Sequence, residues 1–167
     1  MPPRDFTVRR KKQLEIRDHR LDRFILFPKH WKGFTWPKPL SWVRVKFDQT
    51  SASIVPNDKR GVYTFVAEPA IAEHPSCNYL LYVGMVEDSD FRTRFKSYLA
   101  EESKPKPREH VLYMTDRWKN HLWFYYCPLD PTVLAEPLEN ALLTAFLPPV
   151  NRQWPATIRD VMKLVFS

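Results

Sequence analysis

Apolar residues recur at Leu14, Leu21 and Ile25, at intervals of seven and four, while Arg10, Arg17 and Arg20 lie off that stripe. The spacing predicts a helix over Val8–Phe27, with Thr7 placed to cap it and Pro28 to end it. From His30 to Pro39, Trp31, Phe34 and Trp36 alternate with lysines and prolines, which predicts an irregular arm. Packed across the core, its aromatics would cover apolar surface; turned outward with the lysines, they would meet bases and phosphates. Trp42, Arg44 and Lys46 alternate with Val43, Val45 and Phe47, so Ser41–Phe47 reads as a short strand. Gln49–Arg60 is a polar connection.

The period then changes. Two apolar, aromatic runs predict strands over about residues 61–67 and 78–84, joined as an antiparallel hairpin. Asp88-Ser89-Asp90 supplies N-cap residues for a helix over about 90–102, with Phe91, Phe95, Tyr98 and Leu99 on one face. Lys104–Pro107 breaks it, and Arg108–Asn120 has room for a short helix. His121–Cys127 is a strand by composition, long enough to be central. Asp130-Pro131 opens a helix carrying Leu138, Leu142 and Phe146, which Pro148-Pro149 ends; Ile158–Phe166 reads as an amphipathic C-terminal helix. These elements predict an α+β fold with a three-stranded antiparallel sheet flanked by helices in the order β-β-α-β-α. Residues 1–60 form an N-terminal extension, 61–152 the core, and 153–167 a helix packed on it.

Composition refines this picture in three ways. No run approaches a membrane span and the first residues carry no apolar leader, so no membrane partner is expected. Cys77 and Cys127 form neither a metal-ligand spacing nor a disulfide framework, which points to an intracellular protein, cytoplasmic or nucleoid-associated. Residues 1–60 hold 15 Lys/Arg against 6 Asp/Glu, whereas residues 61–167 hold 11 against 13. The excess positive charge, densest at Arg9, Arg10, Lys11 and Lys12 and continued by Arg17 and Arg20, predicts a polyanionic partner, nucleic acid ahead of an acidic membrane surface.

Candidate chemistry begins with glycine. There are three in the chain, and two stand in Gly61-Val62-Tyr63 and Tyr82-Val83-Gly84, beside the hairpin strands. A strand glycine marks a bulge or a close backbone approach. Arg94 and Tyr98 share a helix face. Glu139, Leu142, Leu143 and Phe146 follow i, i+3, i+4, i+7, which sets a carboxylate on a core-facing stripe. A carboxylate there needs a partner or a metal, unless it sits at the stripe's edge near the helix start. Asn151 follows the helix-ending prolines.

In this order, Gly61-Val62-Tyr63, Tyr82-Val83-Gly84, Arg94, Glu139 and Asn151 resemble the motifs of the GIY-YIG endonuclease superfamily. Arg94-Phe95-Lys96-Ser97-Tyr98 resembles the arginine helix of its excision-repair members. Glu139–Leu143 followed by Phe146–Asn151 resembles their glutamate helix with its terminal Pro-x-x-Asn. The resemblance covers about residues 60–152. It implies a DNA endonuclease in which Glu139 holds Mg²⁺ or Mn²⁺, Arg94 binds the scissile phosphate, and Tyr63 is the general base or positions the water. Tyr82 and Tyr98 would orient phosphate or nucleophile, Gly84 would admit the phosphate, and Asn151 would hold the glutamate helix. Lys96, with the basic N-terminal residues, is expected to contact DNA, and residues 1–60 to supply target choice, since the 61–167 part is net acidic.

The sequence departs from the family where many repair-type members carry a lysine after the second motif. Met85 stands there, and Lys96 and Arg92 are the nearest cations in sequence. Restriction-type, mobile-element or phage, and repair-type enzymes all fit; the lack of a zinc-binding cysteine cluster disfavours the eukaryotic branched-DNA resolvases. The alternatives are a catalytically weak nucleic-acid-binding module on the same fold, or a scaffold whose Val8–Phe27 helix binds a protein partner.

Overall fold

The computed structural model describes residues 24–69 and 78–166. The helix expected over Val8–Phe27 lies almost wholly outside them, and Phe24–Phe27, which are described, are not helical. The described residues form an α+β fold with one antiparallel sheet. In chain order they are α1 (Pro28–Gly33), β1 (Val43–Lys46), β2 (Gly61–Ala67), β3 (Tyr79–Val86), α2 (Phe91–Leu99), α3 (Glu109–Arg117), β4 (Leu122–Pro128), α4 (Glu136–Phe146) and α5 (Arg159–Phe166).

The sheet has four strands rather than three, in the order β1-β4-β2-β3. The short strand expected to stand apart pairs with β4, with Val45 opposite Phe124. β2 is central, pairing with β3 on one side and β4 on the other, and Tyr63 faces both Gly84 and Tyr126 across the ladders. A register shift after Phe65 adds one residue to β3, so Leu81 and Tyr82 both join the same core cluster.

Each sheet face has its own core. On one, Tyr63, Phe65, Phe124 and Tyr126 pack with Phe91, Phe95 and Tyr98 of α2 and Val111 and Met114 of α3. On the other, Val62 and Val83 pack under Leu138, Leu142 and Leu143 of α4. Phe34, Trp36, Leu40 and Trp42 extend this second layer, so the aromatic arm is a packed one. Part of residues 24–60 is thus built into the sheet and its cores, with Val45 of β1, Phe47 and Val55 buried alongside the 61–152 elements.

Three local expectations are corrected. His30–Gly33 is helical rather than irregular, because Pro28 starts α1 instead of ending a helix: a missing N–H costs nothing in the first turn. His30 Nδ1 then lies 2.8 Å from the Thr144 carbonyl, tying α1 to α4. Second, α4 begins at Glu136, since Asp130 is used by a turn in which it accepts from the Thr132 N–H and hydroxyl. Third, Phe146 is 43% exposed, so the buried stripe of α4 runs through Leu138, Leu142, Leu143 and Ala145. Asp90 caps α2 as expected, accepting from the Thr93 N–H at 2.8 Å.

After α2 the chain buries a carboxylate. Glu101, 1% exposed, accepts from the Arg108 backbone N–H, from both arms of its guanidinium at 3.0 and 2.7 Å, and from Lys104 at 2.6 Å. These hydrogen bonds outweigh burial and hold the Glu101 carboxyl down at about 2. A depressed folded-state value contributes stability above about pH 4.5 that is lost as the pH falls towards 2. Urea titrations from pH 6 to 2 are expected to show a fall of about 3 kcal/mol from this group. In Glu101→Gln that part of the pH dependence should disappear; an unchanged profile would mean that other carboxylates cause it.

Candidate functional site

The hairpin lies between α2 on one face of the sheet and α4 on the other, with β3 at one edge of the sheet. The three motif tyrosines form a triangle: ring centroids are 6.3 Å apart for Tyr63 and Tyr82, 5.9 Å for Tyr63 and Tyr98, and 6.0 Å for Tyr82 and Tyr98. The Tyr63 and Tyr98 hydroxyls are hydrogen-bonded at 2.9 Å. Tyr63 is 2% and Tyr98 1% exposed. Burial raises the pKa of all three phenols well above its ordinary value; Tyr82 adds to this at Tyr63, Tyr98 at Tyr82 and Tyr63 at Tyr98, while hydrogen bonds with Tyr98 and Tyr82 oppose it at Tyr63 and Tyr98 respectively. At neutral pH they are uncharged hydroxyls able to orient a ligand or water.

The two motif glycines serve packing. Gly61 has φ +146°, and a Cβ there would overlap the Cys127 carbonyl, so only glycine lets β2 begin against the end of β4. Gly84 has no such backbone demand. The Tyr63 phenol lies over it, and a Cβ would overlap the hydroxyl and ring carbons. The gap at Gly84 is therefore filled by a tyrosine, where the sequence suggested room for a phosphate.

Asn151 is buried and pairs with the backbone of β3. Its Oδ1 accepts from the Val83 N–H at 2.9 Å, and its Nδ2 donates to the Val83 carbonyl at 2.8 Å. Val150 N–H donates to the Leu81 carbonyl at 3.0 Å. Together these replace the missing neighbour of an edge strand, between Tyr82 and Gly84. Asn151→Ala leaves two buried backbone groups unsatisfied and is expected to cost about 2–4 kcal/mol in urea unfolding. A loss below about 1 kcal/mol would mean that water replaces the amide there.

Arg94 is half-buried, and its Nε is buried without a hydrogen-bond partner. Its charge acts on both Tyr63 and Glu139. Glu139, also half-buried, has its carboxyl pushed up to about 7 by burial and then by the neighbouring Glu136 and Glu87, with Arg94 opposing. Glu87 itself accepts from the Ala135 N–H at 2.7 Å, fixing the entry of α4.

Glu139 opens onto a cavity of about 810 Å³. Glu136, Asn140, Tyr82 and Met85 form part of its wall, while Arg108, Arg152, Arg159 and Lys163 supply cations; His110 also lines it, held towards its neutral form by burial and then by Arg152 and Arg108. None of these cations was singled out as a site residue from the sequence. Arg159 and Lys163, four apart on α5, carried a readable signal: one face of the final helix is basic. Arg108 places its guanidinium 4.7 Å from the Tyr98 ring centroid and acts on both Tyr98 and Tyr82. It brings a cation to the tyrosines while its guanidinium is paired with the Glu101 carboxylate. Arg92 is committed elsewhere, donating to the Val55 and Ser53 carbonyls at 2.7 and 2.9 Å. Lys96 is exposed two residues from Arg94, on another face of α2, and does not line the cavity. Arg9, Arg10, Lys11, Lys12, Arg17 and Arg20 lie outside the described residues, as does Cys77; Cys127 is a buried free thiol.

Comparison with family models, with curated proteins and with solved structures found no match for this chain. Among the described residues no helix is long and apolar enough to cross a membrane.

Proposed function

We propose that this protein is a metal-dependent DNA endonuclease that hydrolyses phosphodiester bonds, as the GIY-YIG resemblance implies. One observation carries the reading: an arginine with a buried, unpartnered Nε acts on a carboxylate that opens onto a cation-lined cavity. An unsatisfied guanidinium donor is expensive to bury and suits an oxyanion ligand. Arg94 would bind the scissile phosphate through its planar fork, which lysine cannot reproduce. Tyr82 and Tyr98 would orient the phosphate or the attacking water, and Tyr63, held neutral by burial, would position rather than deprotonate.

The donor chemistry fits a hard divalent cation at Glu139. After burial, the charges of Glu136 and Glu87 raise the proton affinity of Glu139, and a cation relieves that repulsion. No cluster of three or more His, Cys, Asp or Glu is arranged to hold a metal among the described residues. As the resemblance implies, Glu139 would be the single protein ligand to Mg²⁺ or Mn²⁺, which tolerates a shell completed by water and phosphate. When bound, the ion supplies Lewis-acid polarisation of a phosphate oxygen.

The test is nicking of supercoiled plasmid and branched DNA in Mg²⁺ by the full chain, beside Arg94→Ala and Glu139→Ala. Equal nicking by wild type and Glu139→Ala overturns the reading. The raised phenol pKa values and Met85 favour a second reading, a nucleic-acid-binding module with weak or no turnover. It gives salt-sensitive binding without Mg²⁺-dependent cutting.

A further inference from the structure

The cavity is lined differently at its floor and at its rim. Met85, Leu143, Trp154 and Pro155 give it an apolar and aromatic part, and Asn140 and Gln153 give it amides with both donors and acceptors. Arg152, Arg159 and Lys163, all exposed, line it with positive charge beside the carboxylates of Glu136 and Glu139. An indole with neighbouring cations is the equipment that holds an unpaired base and its backbone, whereas a duplex backbone needs only the cations. At about 810 Å³ the space is of the size that takes a small molecule.

From this lining we infer that the cavity receives one unpaired DNA nucleotide next to the phosphate at Arg94. Its base lies against Trp154 and Met85, the two amides face its polar edge, and the flanking phosphates meet Arg152, Arg159 and Lys163. The substrate class is then DNA with a single-stranded, bulged or flipped-out nucleotide at the cut. Paying to unstack a base is cheapest where the base is already unpaired, so selectivity for such DNA follows from the cavity. The C-terminal segment, rather than the basic N-terminus alone, carries target choice. The placement of the neighbouring phosphate rests on the endonuclease reading; the cavity's preference for an unpaired base does not.

The experiment measures binding by fluorescence anisotropy in EDTA, with full-length protein and two labelled DNAs of one sequence, a perfect duplex and a duplex with a single bulged nucleotide. The bulged DNA is expected to bind at least about tenfold more tightly, and Trp154→Ala to erase that preference, as loss of one stacked base predicts. Arg152→Gln/Arg159→Gln/Lys163→Gln, on exposed positions that spare the core, should weaken both DNAs and make log Kd depend less steeply on log salt, by up to about 2.7 in slope. Neutralising Arg9, Arg10, Lys11 and Lys12 should weaken both DNAs without changing the bulge preference. Because Trp154 also packs against core residues, wild-type protein is in addition irradiated with DNA carrying 5-iododeoxyuridine at the bulge; the cross-link is expected on Trp154 or Tyr82. Equal affinity for the two DNAs, or a cross-link away from the cavity, overturns the inference. Bulge-selective binding by a protein that cuts nothing would sustain it while removing the endonuclease reading. Efficient cutting of perfect duplex, unchanged in Trp154→Ala, would do the reverse.

Discussion

Glu139→Gln is expected to lower Mg²⁺-dependent nicking by about 10³-fold and, in EDTA, to make the protein more stable. The first effect follows from removing the one carboxylate that would hold the ion, where charge neutralisation is worth several kcal/mol. The second has the opposite sign and comes from the same environment. The Glu139 carboxyl sits at about 7 in the fold, above its ordinary 4.5, so the fold favours its protonated form. The penalty is absent below about pH 4.5, grows as the pH rises towards 7, and is fully present above. Allowing for partial exposure, it amounts to about 2 kcal/mol at pH 8. Glutamine keeps the shape and drops the charge. Urea unfolding in EDTA should therefore separate the two proteins at pH 8 and bring them together at pH 5. A variant no more stable at pH 8, or one that nicks like wild type, would remove Glu139 from the role assigned to it. Stability gained with activity lost distinguishes a residue held at cost for function from one that merely packs.

That position was only partly visible in the sequence. The i, i+3, i+4, i+7 pattern through Phe146 places Glu139 on the apolar stripe, yet the buried stripe is centred on Leu138, Leu142 and Leu143. Glu139 therefore stands at the stripe's margin, half-buried, where it can both feel desolvation and reach a cavity. The strands around Gly61 and Gly84 were legible because β2, β3 and β4 carry dense aromatic and β-branched runs, and because their turn and cap residues are local signals. The pairing of β1 with β4 was not, since no local pattern names a partner far along the chain. The cationic rim was hidden for another reason. Charge summed over residues 61–167 is net acidic, and the sum conceals Arg108, Arg152, Arg159 and Lys163, which the fold gathers from three segments. Net charge follows the chain; a field follows the fold.

Gly84→Ala is expected to cost about 2–4 kcal/mol, although alanine is ordinarily the better strand residue. Backbone strain is not the cause, because Gly84, unlike Gly61, does not have a positive φ. The cause is Tyr63. Its ring lies across β3 so closely that an added Cβ would overlap the hydroxyl and Cζ and stand 3.0 Å from Cε2. The ring cannot retreat, being 2% exposed with Phe124 at 5.3 Å, Tyr98 at 5.9 Å and Phe65 at 6.2 Å between centroids. Either β3 moves away from β2, or Tyr63 shifts and gives up its 2.9 Å hydrogen bond to Tyr98. Both disturb the tyrosine triangle, so nicking should fall along with stability. A double-mutant cycle isolates the contact. Tyr63→Phe keeps the ring over Gly84 and should leave the cost of the alanine nearly intact. Tyr63→Leu removes the overlapping atoms, and in that background Gly84→Ala should cost less than about 1 kcal/mol. An equal cost in both backgrounds would mean that Gly84 is needed for something other than room for the phenol, and the approach of a ligand to the β3 backbone would become the better explanation.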